Sequence, residues 1–221
     1  MKRVSLVAAA LALSASMASA QNRVQNGSFE LNPCTPTFFC LNPTMPGWTN
    51  FGSVEQTTVG YWQAGDGVVS LDLNGEARGG VGQLVTGLTP GTTYDLSFLM
   101  SRNPSIRSTA GATLDVLWLG TAPASSTAFF ALGTGTPFVF NLAPTLANMM
   151  WSQRGTQLVA TSSTMFLGFR ALIPSGGDAG PALDNVSLFA ARTVPEPGTS
   201  ALLAAGLGAL LMMHRRRTRE R

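Results

Sequence analysis

Few residues in this chain can do chemistry. The stretch Tyr61–Gly75, YWQAGDGVVSLDLNG, sets two aromatic rings a few positions from Asp66, Asp72 and Asn74. Flat aromatic faces stack on apolar ligand surfaces such as sugar rings, and nearby carboxylates and amides satisfy hydroxyls. Trp62, Asp66, Asp72 and Asn74 are therefore the candidate ligand-binding residues, with Trp48 and Tyr61 as further aromatics close to loops. Glu55, Asp66, Asp72 and Glu76 supply carboxylates of the kind a glycosidase uses, but no spacing sets two of them at a catalytic separation. The single histidine is His214, near the C-terminus. Its position removes Ser-His-Asp and Cys-His arrangements from the rest of the chain, and no Gly-x-Ser-x-Gly elbow occurs. The expectation is a non-enzymatic protein.

The elements that position these residues read as strands. VVSLDL puts Val69, Leu71 and Leu73 on one face and Ser70 and Asp72 on the other. TYDLSFLM, ATLDVLWLG, TMFLGFRAL and ALDNVSLF carry similar patterns of half-buried strands. Turn clusters separate them: NPTMPG, DLNGEARGG, LTPGTT, RNPS and PSGGDAGP. Many short strands divided by Gly/Pro turns predict a β-sandwich or jelly roll. Trp118 and Trp151 sit in strand-like apolar surroundings and read as core.

The two ends differ from this body. Lys2 and Arg3, the apolar run Val4–Leu13 and the small residues Ala18-Ser19-Ala20 have the order of a signal peptide cleaved after Ala20. At the other end Val194-Pro195-Glu196-Pro197 precedes a helix expected at about 199–213 and a basic tail at 214–221. Its apolar stretch Ser200–Met213 spans roughly 21 Å against a hydrocarbon core of about 30 Å, so local thinning and snorkelling by Arg215, Arg216 and Arg217 have to make up the difference. The clustered arginines belong on the cytoplasmic side, which puts the body outside. The order of Pro-Glu-Pro, apolar helix and basic end resembles the PEP-CTERM sorting signal of Gram-negative bacteria. That resemblance implies recognition by an exosortase, transit through the inner membrane on the C-terminal helix, and delivery to the cell surface or extracellular matrix.

Most of the net charge of +3 lies in the two ends. The body, 21–193, has seven arginines against nine carboxylates and no lysine, which argues against nucleic acid as a partner. Cys34 and Cys40 are the only cysteines; in an exported body they are expected to form a disulfide. Closing so short a loop stabilises by about 2–2.5 kcal/mol.

Five body segments carry a second resemblance. They are Asn26-Gly27-Ser28-Phe29-Glu30, Pro46-Gly47-Trp48, Tyr61–Gly75, Gly82–Pro104 and Gly180–Leu188. Together they resemble the choice-of-anchor C family, which is related to a plant cell-wall domain family without assigned activity and, more widely, to galactose-binding-like jelly rolls. Where the resemblance would put an aromatic, this chain has Leu84. The wider relation implies an all-β jelly-roll sandwich over 21–193 whose first and last strands lie side by side. Glu30 and Asp184 would then meet as ligands of a structural calcium, clamping the chain ends. The function implied is an exported module that binds extracellular polysaccharide. The alternatives are a structural or adhesive envelope protein without sugar affinity and, further off, a glycosidase.

Overall fold

The computed structural model describes residues 21–34, 38–105, 111–172 and 180–191, together with Gly206 and Gly208. The chain divides into two compact units, Met1–Ala190 and Ala191–Arg221. The expected signal peptide with its Ala20 site, the Val194–Pro197 motif and the basic tail lie outside the described residues. So does the expected 199–213 helix, apart from Gly206 and Gly208, which are helical. Among the described residues no helix is long and apolar enough to cross a membrane.

The first unit is an antiparallel β-sandwich. One sheet has the order β1-β3-β4-β11-β6-β9 and the other β2-β5-β10-β7-β8. The first sheet comprises β1 (Phe39–Leu41), β3 (Glu55–Thr58), β4 (Val69–Asp72), β6 (Thr93–Arg102), β9 (Ser152–Val159) and β11 (Pro181–Ala190). The second comprises β2 (Thr49–Gly52), β5 (Gly79–Thr86), β7 (Ala112–Leu119), β8 (Thr136–Phe140) and β10 (Thr164–Leu172), with a short helix α1 (Ser126–Ala131) against it.

Period-two alternation builds the core. Val69 and Leu71 from β4, Leu96, Phe98 and Met100 from β6, and Leu183 and Leu188 from β11 face Val81, Val85, Leu114, Val116, Leu167 and Phe169 of the other sheet, all buried. Trp48 joins this core and donates its indole N–H to the Asn26 carbonyl at 2.9 Å. Trp118 and Trp151, expected in the core, are only partly buried. Gly79 and Gly80, which read as part of a turn, open β5 instead. A Cβ on Gly80 would lie 2.5 Å from the Phe169 carbonyl oxygen, so the strand needs bare backbone there.

The N-terminal segment runs beside the last strand. Arg23 N–H donates to Leu188 O at 2.8 Å, Leu188 N–H to Asn22 Oδ1 at 2.9 Å and Val186 N–H to Gly27 O at 2.8 Å. The expected Cys34–Cys40 disulfide is present, with Cα atoms 5.8 Å apart.

Candidate functional site

Glu30 and Asp184 act on one loop. Glu30 Oε1 accepts the N–H groups of Val68 and Val69 at 2.8 and 2.9 Å. Asp184 Oδ2 accepts those of Gly65 and Asp66 at 2.9 and 2.8 Å, and its Oδ1 accepts Asn185 N–H at 2.7 Å. Each carboxylate adjoins a backbone outlier. Phe29 precedes Glu30 at φ 61°, and Asn185 follows Asp184 at φ 46° within the β11 bulge. A bulky residue at positive φ is costly, and burial of the Phe29 ring against Trp48 (centroids 5.3 Å apart) offsets that cost.

Calcium needs six to eight oxygen ligands. Here Glu30 Oε1 and both Asp184 oxygens accept amide hydrogens, and no three His, Cys, Asp or Glu residues among those described group to hold a metal ion. This donor set fits an amide clamp and does not fit the calcium cage that the jelly-roll resemblance implies. Burial pushes Asp184 up to about 8, against the amide N–H groups of Asp66, Asn185 and Gly65; the Asp66 charge adds to the rise.

The predicted ligand residues separate. Trp62, Asp72 and Asn74 are buried, and Asp66 alone is exposed. Trp62 lies over the outer face of the six-stranded sheet with Met149 and Ala182, and donates its indole N–H to Ser70 Oγ at 2.8 Å. Asp72 Oδ1 accepts Asn74 N–H and Gly180 N–H, and its Oδ2 accepts the Asn103 amide at 2.7 Å. Burial pushes Asp72 up to about 8 against these three donors, and the charge of Glu55, opposite it on β3, adds to the rise. Trp62, Asp72 and Asn74 are thus packed inside the fold, and Asp66 faces solvent. The Glu55–Asp72 pair is closed to substrate on the Asp72 side.

An open concavity lies on the other sheet. A cleft of about 570 Å³ lies between β2, β5 and the 122–126 loop that leads into α1. Phe51, Phe166 and Gly82 form its floor; Gln25, Thr49, Asn50, Gln83, Ser125 and Ser126 supply hydroxyls and amides; Leu84 also lines it. No charged residue lines it. Gly82 is required, because a Cβ there would lie 2.1 Å from the Phe166 ring. Gln83 is pinned by a reciprocal pair of bonds: its Oε1 accepts Gln25 N–H at 2.8 Å, and its amide donates to Gln25 O at 2.9 Å. Phe51 stacks on Phe129 of α1 at 4.2 Å and 18°.

A buried ion pair holds α1 in place. Arg170 and Asp115 are cross-strand partners in β10 and β7, 1% and 0% exposed. Arg170 donates Nε and Nη2 to Asp115 Oδ2 at 3.0 and 2.8 Å. It also donates Nη1 to Phe129 O at 2.7 Å, and Nη2 to Leu132 O and Gly133 O at 3.2 and 2.8 Å. One guanidinium thus satisfies the carbonyls at the C-terminal end of α1, where a positive charge also suits the helix dipole. At the other end Ser125 Oγ caps Ala128 N–H at 3.2 Å. Sequence reading missed this assembly. The one available signal was the pair of glycines Gly80 and Gly82 inside a strand pattern, which marks close approach of another group.

Residues 193–217 match the PEP-CTERM protein-sorting motif. The chain is 31% identical over 176 residues to halomucin of Haloquadratum walsbyi; the match takes in 76% of this chain and 2% of halomucin's length. Solved structures with a similar fold include three carbohydrate-binding modules. A family 35 module from Clostridium thermocellum has TM-score 0.43 and 17% identity, over 70% of this chain and all of the module. The CBM22-1 xylan-binding domain from Paenibacillus barcinonensis Xyn10C has TM-score 0.41 and 17% identity, over 70% of this chain and 97% of that domain. TmCBM61, solved with β-1,4-galactotriose, has TM-score 0.44 and 14% identity, over 77% of this chain and 99% of the module. Residues 22–189 match the family described as protein of unknown function (DUF642), and the chain belongs to that family.

Proposed function

We propose that this is an exported, exosortase-sorted surface or matrix protein whose β-sandwich binds a neutral polysaccharide in the cleft between β2, β5 and the α1 loop. The observation that carries this reading is the lining: amides and hydroxyls around an exposed Leu84, over a floor whose Phe51 and Phe166 rings are 5% and 2% exposed, and no charge. Leu84 offers an apolar contact and the amides and hydroxyls suit the hydroxyl edge of an uncharged sugar unit. The lining offers nothing to neutralise a phosphate or a carboxylate. The sorting motif supports the cellular part of the reading, because it belongs to the export route of a surface protein.

The test is affinity gel electrophoresis of the full chain, in detergent, against xylan, β-1,4-galactan and the polysaccharide of the producing organism. Retardation by at least one of them is expected, and Thr49→Trp should abolish it by filling the cleft from an exposed position. Equal retardation of wild type and Thr49→Trp would sink the site. No retardation by any of the three would favour an adhesive protein without sugar affinity.

A further inference from the structure

We infer that two copies of this chain associate through the β1 edge of the six-stranded sheet, a contact that does not depend on the cleft. The sandwich has four edge strands: β1 and β9 in one sheet, β2 and β8 in the other. β1 is three residues, itself a short edge, but the other three carry proline, charge or a covering helix that discourage pairing. β8 has Pro137, and β9 has Arg154 with Gln153 and Gln157. β2 is engaged with α1, since Gly52 N–H donates to Ser126 Oγ at 3.0 Å and Phe51 stacks on Phe129. β1 reads Phe-Cys-Leu, with no charge and no proline.

Hydrogen-bond parity leaves the β1 edge open. Thr58 N–H donates to Phe38 O and Asn42 N–H to Val54 O, while Cys40 is the register partner of Gln56. Bonded residues alternate along an antiparallel pair. Phe38, Cys40 and Asn42 therefore direct their backbone groups toward β3, and Phe39 and Leu41 direct theirs away from it. A two-fold axis at Cys40 would pair Phe39 of each copy with Leu41 of the other and close four N–H···O bonds. It would also set a phenyl ring beside a leucine on one face, twice. The edge is thus complementary to itself, as a two-fold contact requires.

The flanking surface is apolar. Leu31, Phe38, Phe39, Leu41, Val59 and Val68 are 39–62% exposed. They are neighbours: the Phe38 ring lies over Gly60, Val59 N–H donates to Val68 O, and Val68 N–H donates to the Glu30 carboxylate next to Leu31. Phe39 packs edge-on against Tyr61 with centroids 5.9 Å apart. These side chains present roughly 500 Å² of apolar surface per copy, at the upper end of what a monomer shows. With the backbone edge added, this approaches the roughly 800 Å² per partner of a stable interface.

The experiment is sedimentation velocity of the full chain in a mild detergent over a wide concentration range, for wild type, Leu41→Pro and Phe39→Lys. Proline at 41 removes an outward N–H that the monomer does not use, so the thermal transition of the monomer should persist. The expected result is a concentration-dependent dimer for wild type and a dissociation constant raised by about two orders of magnitude in Leu41→Pro. Phe39→Lys, an exposed charge on the same edge, reads the same contact if proline impairs folding. A wild type that sediments as a monomer throughout overturns the inference. So does a dimer that survives both substitutions, which would place the contact elsewhere, in the tail for example.

Discussion

Replacing Asp115 with asparagine probes the link between the ion pair and the cleft. The substitution keeps the side-chain shape and removes one charge from a pair that is 1% and 0% exposed. Arg170 would keep its bonds to Phe129, Leu132 and Gly133 carbonyls but lose its salt bridge to Asp115. Breaking a buried pair from one side costs about 3–5 kcal/mol. The three remaining carbonyl acceptors put the expected loss near the lower end, about 3 kcal/mol. For a domain of this size that corresponds to a fall in Tm of about 6–12 °C. Urea unfolding followed by tryptophan fluorescence, with calorimetry as a second probe, measures it. The double variant Asp115→Asn/Arg170→Met removes the stranded charge and should recover much of the loss. It leaves the α1 carbonyls without a donor, so polysaccharide retardation should stay weak although stability returns. A loss below about 1 kcal/mol in Asp115→Asn would refute the claim that the charge pair is energetically coupled. Full retardation in the double variant would refute the claim that Arg170 shapes the cleft through α1.

Three further outcomes follow from the buried carboxylates and their loops. Asp72 and Asp184 are both raised to about 8 by burial, above an unfolded value of about 3.9. Their protonation stabilises the fold fully below about pH 4, and this contribution is lost as pH rises through about 8. Thermal stability should therefore fall from pH 5 to pH 9, and Asp72→Asn should flatten that slope; a stability that rises over this range would contradict the assignment. Gly67→Ala should cost about 2–3 kcal/mol, since φ is +63° and the new Cβ would lie 2.3 Å from Glu30 Oε1, whereas Gly120→Ala, with nothing within 4 Å, should be near neutral by the same denaturation assay. EDTA should leave Tm where it is in calcium, and a rise in Tm on adding calcium would return Glu30 and Asp184 to the role of metal ligands.

Strand alternation was legible because it has a simple period. Val69 and Leu71 face the core, and Ser70 and Asp72 face away, as the pattern implies. The inference that the second face meets water did not follow. Trp62 and Met149 pack over it against Ala182 of β11, and only the folded chain shows which loop covers which face. Arg170 and Asp115 sat unremarked for the same reason: each is a polar residue at an alternating strand position. Only the β10–β7 register makes them partners, and register is a long-range property. Helix α1 is six residues long, below the length at which periodicity announces a helix.

The carboxylates carry a shared lesson about where a site can be. Asp184 seats Gly65 and Asp66, Glu30 seats Val68 and Val69, Asp72 seats Asn74 and Gly180, and Asp115 seats Gly135, each by accepting backbone N–H groups. A sandwich with many Gly/Pro loops has many amides that no ladder satisfies, and a carboxylate can accept two or three of them. In a chain where only 11% of residues are charged, that duty takes up four of the body's nine carboxylates. Residues that by type alone suggest acid-base chemistry or metal binding are thereby committed to holding loops. The cleft lining is uncharged, and a binding reading has to rest on its shape, its amides and hydroxyls, and Leu84.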